Sequence, residues 1–329
     1  MRSRQRGVAL LVVLLILALM VTVAASIAER QGKVFMRTDR QLGHQQAKWY
    51  ALGAEAFVGK VILRDALTTP ERTTLSQNWA QRGRQFPVEG GEILGYVQDG
   101  LACFNLNALN QTLSEDSTTV STPYPAQVFR WLLINLGVDP AQAVNIVAAV
   151  RDWIDEDSQP MANGAEDETY MALPEPYRAA NQSMVDISEL RMVQGVDAAL
   201  YQRLLPFVCA LPTQKLQINI NTLRDYQAPL LSALFLNTLS GEQAKTLLQQ
   251  RPVTGWQSGA AFLSQDGFPN INKSSAQRVL VARSDWFFAH MRVRMGDSGD
   301  VYQTSLLHRD GKTVSVVRRY PGGYRTVNP

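Results

Sequence analysis

The chain has 329 residues, 46% of them apolar, enough to fill the cores of two ordinary domains. Its formal charge of +3 comes from 32 basic and 29 acidic side chains, and the excess is Arg2, Arg4 and Arg6; the rest of the chain is balanced, which excludes a general nucleic-acid binder with a basic face. Three histidines, His44, His290 and His308, come with no G-x-S-x-G, P-loop or H-E-x-x-H pattern, so no catalytic constellation emerges and the chain reads as a non-enzyme.

Val8 to Ala28 is an uncharged apolar run of about 30 Å as a helix, enough to cross the hydrocarbon core of a bilayer. The arginines before it place the first residues in the cytoplasm and send the bulk of the chain to the other side of the inner membrane. Hydropathy alone fits two readings, a retained anchor or a secretory signal with an exit at Val23-Ala24-Ala25 before Ser26.

Helical character continues to about Leu67, so a helix from Val8 reaches roughly 90 Å. Trp49, Leu52, Ala56 and Leu63 share one side of its outer half and are the expected packing face. Thr68 to Gln85 reads as loop, and Gly95 to Gln98 and Leu101 to Leu106 as strands joined by an Asp99-Gly100 hairpin turn. Strand signals return at Leu216 to Ile220 and in three stretches between Trp286 and Tyr320, with turns at Gly296 to Gly299 and Asp310-Gly311. His290 and His308 fall there as ordinary sheet residues.

Between these strands the chain is helical and repeats itself. Asn105-Leu106-Asn107-Ala108-Leu109 recurs as Asn219-Ile220-Asn221-Thr222-Leu223, each copy followed by an apolar helix, a turn and a second helix. The units resemble helix-hairpin-helix modules, with Leu136-Gly137-Val138 at the turn. Asp139 follows that turn and no Lys or Arg lies from 140 to 148, so a structural role is expected and no nucleic acid.

The densest chemical signal lies between Asp152 and Glu168: Asp152, Asp155, Glu156, Asp157, Glu166, Asp167 and Glu168, without a Lys or Arg among them. Carboxylates crowded into one loop repel unless protons, water or a cation intervene. Calcium suits an all-oxygen set, and the lack of Cys and His disfavours zinc. Asp155, Asp157 and Glu166 have EF-hand spacing, but Pro160 stands where that loop needs Gly. By composition, a solvated acidic loop without metal stays open. Cys103 and Cys209 leave two readings as well, a bridge in an oxidising compartment or two buried thiols.

Arg6-Gly7-Val8-Ala9-Leu10-Leu11 resembles a type IV prepilin leader. The resemblance implies that a prepilin peptidase cuts between Gly7 and Val8, that Val8 is N-methylated, and that the apolar run is kept. Pilins usually carry Glu five residues past the cut, where this chain has Val12. That Glu is thought to pair with the α-amino group of the subunit above, and a carboxylate without such a partner is costly in a membrane.

The missing Glu, the length, and the blocks DWIDED, GAEDETY, PYRAANQ and ISELRMVQG together resemble the K-type minor pseudopilins of type II secretion. That family implies an α+β fold: a pilin-like long N-terminal helix on a small antiparallel sheet, interrupted by a large helical insertion. The expected division is a leader (1–7), a transmembrane helix (8–28), its periplasmic continuation (29–67), the first part of the sheet (68–106), the insertion (107–284) and the last strands (285–329).

The resemblance further implies a structural Ca2+ on Asp155, Asp157, Glu166, Asp167 and Asn181. Asp152 and Glu189 join as further candidates that can equally cap a helix or bind Arg. Implied partners are the I- and J-type minor pseudopilins, the other pseudopilins of the filament, and secreted proteins. The implied role is to sit at the tip of the pseudopilus, start its assembly and help export folded proteins. The alternative is a membrane-anchored periplasmic enzyme or binding protein unrelated to pili.

Overall fold

A computed structural model describes residues 6–111, 122–266, 268, 272–296 and 299–322. Helix α1 runs unbroken from Arg6 to Thr68, about 95 Å at 1.5 Å per residue. No proline interrupts it, and Pro70 follows its end. Its span from Val8 is long and apolar enough to cross a membrane and is wholly exposed on this chain.

From Ala47 onward α1 lies on a five-stranded antiparallel sheet: β1 (Gln85–Val88), β2 (Gly91–Asp99), β7 (Trp286–Met295), β8 (Asp300–Asp310) and β9 (Thr313–Pro321), in that order across the sheet. The last three are the strands expected from the tail, although part of the Gly296 to Gly299 turn lies outside the described residues. The α1 face used is Ala47, Ala51, Val58 and Ile62, against Val293, Val301, Phe287 and Leu307.

The expected face is therefore wrong: Trp49 is 72% exposed, Ala56 faces outward, and Leu52 and Leu63 are half-buried. Small side chains let helix and sheet approach closely, and two buried carboxylates fasten them. Glu55 accepts two hydrogen bonds of 2.8 Å from Arg319 and others from Ser305 and Gln303. Asp65 accepts from Asn78 and the Trp79 N–H. A hydrophobicity pattern counts these two residues as surface, which is why it chose the wrong side.

Residues 68–85 are not only loop, since they hold a short 3-10 turn at Asn78–Ala80 and lead into β1, which pairs with β2 through a turn at Glu89-Gly90. The expected hairpin at Asp99-Gly100 is absent. There β2 ends, the Gly100 N–H bonds to the Trp286 carbonyl, and the chain leaves the sheet. A Cβ on Gly100 would lie 2.8 Å from that of Trp286, so the glycine serves close approach rather than a turn.

The insertion thus begins near Gly100, not at 107, and contains two similar units. In the first, β3 (Phe104–Asn105) is followed by α2 (Tyr124–Asn135), α3 (Pro140–Ile154), α4 (Asp167–Met171) and α5 (Ala198–Leu204), and then pairs in parallel with β4 (Val208–Cys209). In the second, β5 (Ile218–Asn219) is followed by α6 (Ala228–Leu234), α7 (Gly241–Gln249), α8 (Gly259–Leu263) and α9 (Ser274–Val279), and pairs in parallel with β6 (Leu280–Val281).

The repeated asparagines do matching work. The Asn105 and Asn219 amide oxygens each accept the N–H two residues on. Asn107 bridges the Met184 N–H to the Met184 and Leu211 carbonyls, as Asn221 bridges the Trp256 N–H to the Trp256 carbonyl. Each unit thereby pins a long excursion back to its opening strand. The two units share one apolar core in which α2 packs on α6, and Asn135 and Asn237 exchange side-chain hydrogen bonds across that seam. Cys103 and Cys209 are bridged at the base of the first unit, with Cα atoms 5.8 Å apart.

Sheet and insertion meet at Asp99. Its buried carboxylate accepts from the Leu101 N–H (2.8 Å), Asn219 Nδ2 (3.0 Å), Thr222 Oγ1 (2.6 Å) and Ser284 Oγ (2.6 Å). Burial pushes this carboxyl's pKa up, and the four donors oppose it. Asp99→Ala would leave the Leu101 N–H and Ser284 Oγ without an acceptor and remove one of those used by Asn219 and Thr222. We expect a loss of about 3 kcal/mol, read as a melting temperature lower by roughly 5 to 10 °C in the part that follows the apolar span, while alanine at exposed Asp310 leaves it unchanged.

Candidate metal centre

The acidic loop hangs from the end of α3. Asp152, in its last turn, is buried and accepts the N–H groups of Met161 (3.2 Å) and Ala165 (2.8 Å), folding the loop back over the helix end. A Cβ at Gly164 would collide with the Asp152 carboxylate, 1.8 Å away, so this turn admits only glycine. Tyr170 stacks on Tyr177 beneath, Trp153 meets both edge-on, and Arg151 donates to Asn110. The loop is thus held by its frame, whatever its carboxylates do.

Within that frame Asp155, Asp157 and Glu166 converge, with oxygens within 4.8 Å of one another. Asp155 follows the last turn of α3, Asp157 is exposed, and Glu166 precedes α4 and is buried. Asn181 comes in on a left-handed residue, φ 44°, and donates to Ser158 Oγ. Asp155 Oδ1, both Glu166 carboxylate oxygens and Asn181 Oδ1 are buried without a well-formed hydrogen bond. The Asn181 side chain and the Asp167 N–H approach Glu166 without forming well-aligned hydrogen bonds, and four buried acceptors so poorly matched are the arrangement a cation satisfies. Oxygens on opposite sides of a calcium ion, at about 2.4 Å each, lie about 4.8 Å apart, so the spacing fits.

The other candidates are occupied elsewhere. Asp167 accepts the Ala179 N–H and leans toward Arg178 at 3.9 Å. Glu189 caps the turn Ile187–Met192, accepting the N–H groups of Val185 and Asp186, with its second oxygen on Trp153 Nε1. Asp152 is the loop's hinge post. The roles of Asp152 and Gly164 in shaping the loop had no signal of their own in the sequence beyond the density of acids around them.

Burial and the charges of Asp157, Asp152 and Glu166 push the Asp155 carboxyl from 3.8 up to about 7. Burial, and then the charge of Asp152, raises Glu166 too; burial raises Asp152. The loop is thus poised to hold protons or a cation at neutral pH.

Residues 102–213 and 218–283 each match a family model described as type II secretion system (T2SS), protein K, and the two matched blocks are the two units of the insertion. Type II secretion system protein K of Pectobacterium carotovorum subsp. carotovorum is 61% identical over the whole of both chains, and that of Dickeya chrysanthemi 48% over the same extent. The chain belongs to the type II secretion system protein K family. A chain in the crystal structure of the GspK-GspI-GspJ complex from the enterotoxigenic Escherichia coli type 2 secretion system superposes with a TM-score of 0.79 at 38% identity, covering 87% of this chain and 99% of that one. This family membership makes the molecule a minor pseudopilin, a structural component of secretion, and the reading as a protein unrelated to pili falls.

Because Asp155 binds a proton more readily folded than unfolded, the native state holds more protons between about pH 4 and pH 7, and stability without metal falls as pH rises through that window. In chelator the melting temperature should drop by several degrees from pH 5 to pH 7.5, and Asp155→Asn should flatten that slope. A slope unchanged by the substitution would contradict the assignment.

Proposed function

We propose that this chain is the tip subunit of the type II secretion pseudopilus, that it starts filament assembly together with I- and J-type minor pseudopilins, and that it thereby serves the export of folded proteins. The observation that carries the reading is the combination of an unbroken α1 with Val12 where filament subunits carry Glu. A subunit with none above it has no amine to offer such a carboxylate, and an unpaired acid in that setting is costly. The insertion, on the opposite side of the sheet from α1, adds bulk that obstructs a further subunit.

In this reading a prepilin peptidase cuts between Gly7 and Val8, the new N-terminus is methylated, and α1 crosses the inner membrane once with the body in the periplasm. N-terminal analysis of the mature protein is expected to yield methylated Val8. Ser26 or Met1 at that position would overturn the processing scheme.

The loop is proposed as a calcium site with a structural role, held by Asp155, Asp157, Glu166 and Asn181, with Asp167 at its margin. The cation supplies the positive charge that the four buried oxygens lack, and the residues supply the fixed frame. At calcium a hundredfold above its dissociation constant the gain is about 2.7 kcal/mol. Glu166→Gln should act with two signs, raising the melting temperature in chelator by removing repulsion and abolishing the calcium gain. Equal melting curves with calcium and with chelator for the unmodified protein would refute the site.

A further inference from the structure

Between the membrane span and the point where α1 meets the sheet, the helix is a stalk exposed almost throughout from Glu29 to Gln46. Its side chains sort by sign and polarity. Arg30, Lys33, Arg37, Arg40, His44 and Lys48 recur at spacings of three and four and fall, at 100° per residue, within a sector of about 80°. Phe35, Leu42 and Trp49 recur every seven residues on the reverse side, about 160° away, and are 73%, 62% and 72% exposed. The one carboxylate between 30 and 48, Asp39, is on the apolar side. Lys33 pairs with Glu29 at 2.6 Å; among the described residues Arg30, Arg37, Arg40 and Lys48 have no ion-pair partner.

Large apolar side chains at heptad spacing, continuous with an apolar span, belong against another helix rather than in water. A stalk so covered stands inside a bundle of anchored helices, where a row of cations is costly unless the neighbour on that side supplies counter-charge. A second copy of this chain would bring an identical basic row and repel it. Lipid headgroups reach only the start of the row: Lys48 stands about 30 Å beyond Ala28, several screening lengths from the bilayer.

We propose that the basic row of the stalk is the docking strip for the N-terminal helix of a different membrane-anchored pseudopilin, running parallel to α1 and carrying Asp or Glu at matching heights and spacings of three and four. This rests on the proposed assembly with other pseudopilins and adds to it which side of α1 meets the acidic neighbour and why that neighbour is not another copy.

The test uses the full-length chain, co-expressed with the I- and J-type subunits and recovered from membranes in mild detergent. Arg37→Glu with Arg40→Glu is expected to cut capture of at least one subunit tenfold or more, and Arg37→Gln with Arg40→Gln to give an intermediate loss. Raising salt should weaken capture by the unmodified chain. Lys in place of the partner's facing carboxylates should restore capture by the reversed variant. The changes precede Ala47, so the body should melt as before.

Undiminished capture by the reversed variant would overturn the proposal. So would undiminished capture accompanied by lost binding to phosphatidylglycerol vesicles, which would make the row a lipid contact. Failure of the unmodified chain to capture either subunit would instead overturn the proposed assembly with I- and J-type subunits, and this inference with it.

Discussion

The Asp99 carboxylate gathers hydrogen bonds from Leu101 at the start of the insertion, Asn219 and Thr222 at its middle, and Ser284 at its end. Insertion and sheet are connected covalently at only two points, and a body hung on two strands would swing if nothing else joined them. One buried acceptor shared by three distant stretches removes that freedom. Asn219 Nδ2 also reaches the Thr73 carbonyl, and Thr73 Oγ1 accepts the Ser284 N–H, so the segment after α1 is drawn into the same knot. The joint is polar because its task is to fix direction. An apolar contact of equal area would tolerate sliding, whereas a carboxylate with four placed donors does not.

That joint explains why an Asn motif appears twice. A side-chain amide both donates and accepts, so one residue can replace the ladder partners that a two-residue strand leaves unpaired. In the first copy Asn105 does this within its own unit, donating to the Thr213 carbonyl and accepting the Leu211 N–H. In the second, the equivalent Asn219 turns its donor outward to Asp99 and Ser284. The duplicated unit has kept its inner brace and turned the other half of it into the attachment to the sheet.

Much of this was legible from residues alone, and the failures share a cause. Strand alternation in β7, β8 and β9, the length of α1, the two helical pairs and the acidic loop are all written in periodicity and composition. What escaped were places where buried polar groups decide the geometry. Asp99-Gly100 has the composition of a hairpin turn, yet the aspartate faces inward and the glycine makes room for Trp286. Glu55 and Asp65 look like surface charges and are the fastenings of α1. In the acidic loop, counting carboxylates could not separate Asp155 and Glu166, which hold buried oxygens without a well-formed hydrogen bond, from Asp152 and Glu189, whose oxygens receive backbone N–H groups. That distinction depends on where the backbone of the loop passes.

The packing of α1 has a mechanical consequence. Glu55 and Asp65 sit ten residues apart on the side that faces the sheet, the first clasping β8 and β9 and the second the turn at Asn78–Ala80. With two polar fastenings and an apolar contact between them, the outer half of α1 can neither roll nor slide on the body. No proline breaks the helix between them and the membrane span, so its orientation in the bilayer sets the orientation of the body, and the Asp99 joint passes that on to the insertion. The direction in which the acidic loop points is therefore tied to the direction of α1. That rigid path from the apolar span to the insertion is what the buried carboxylates secure.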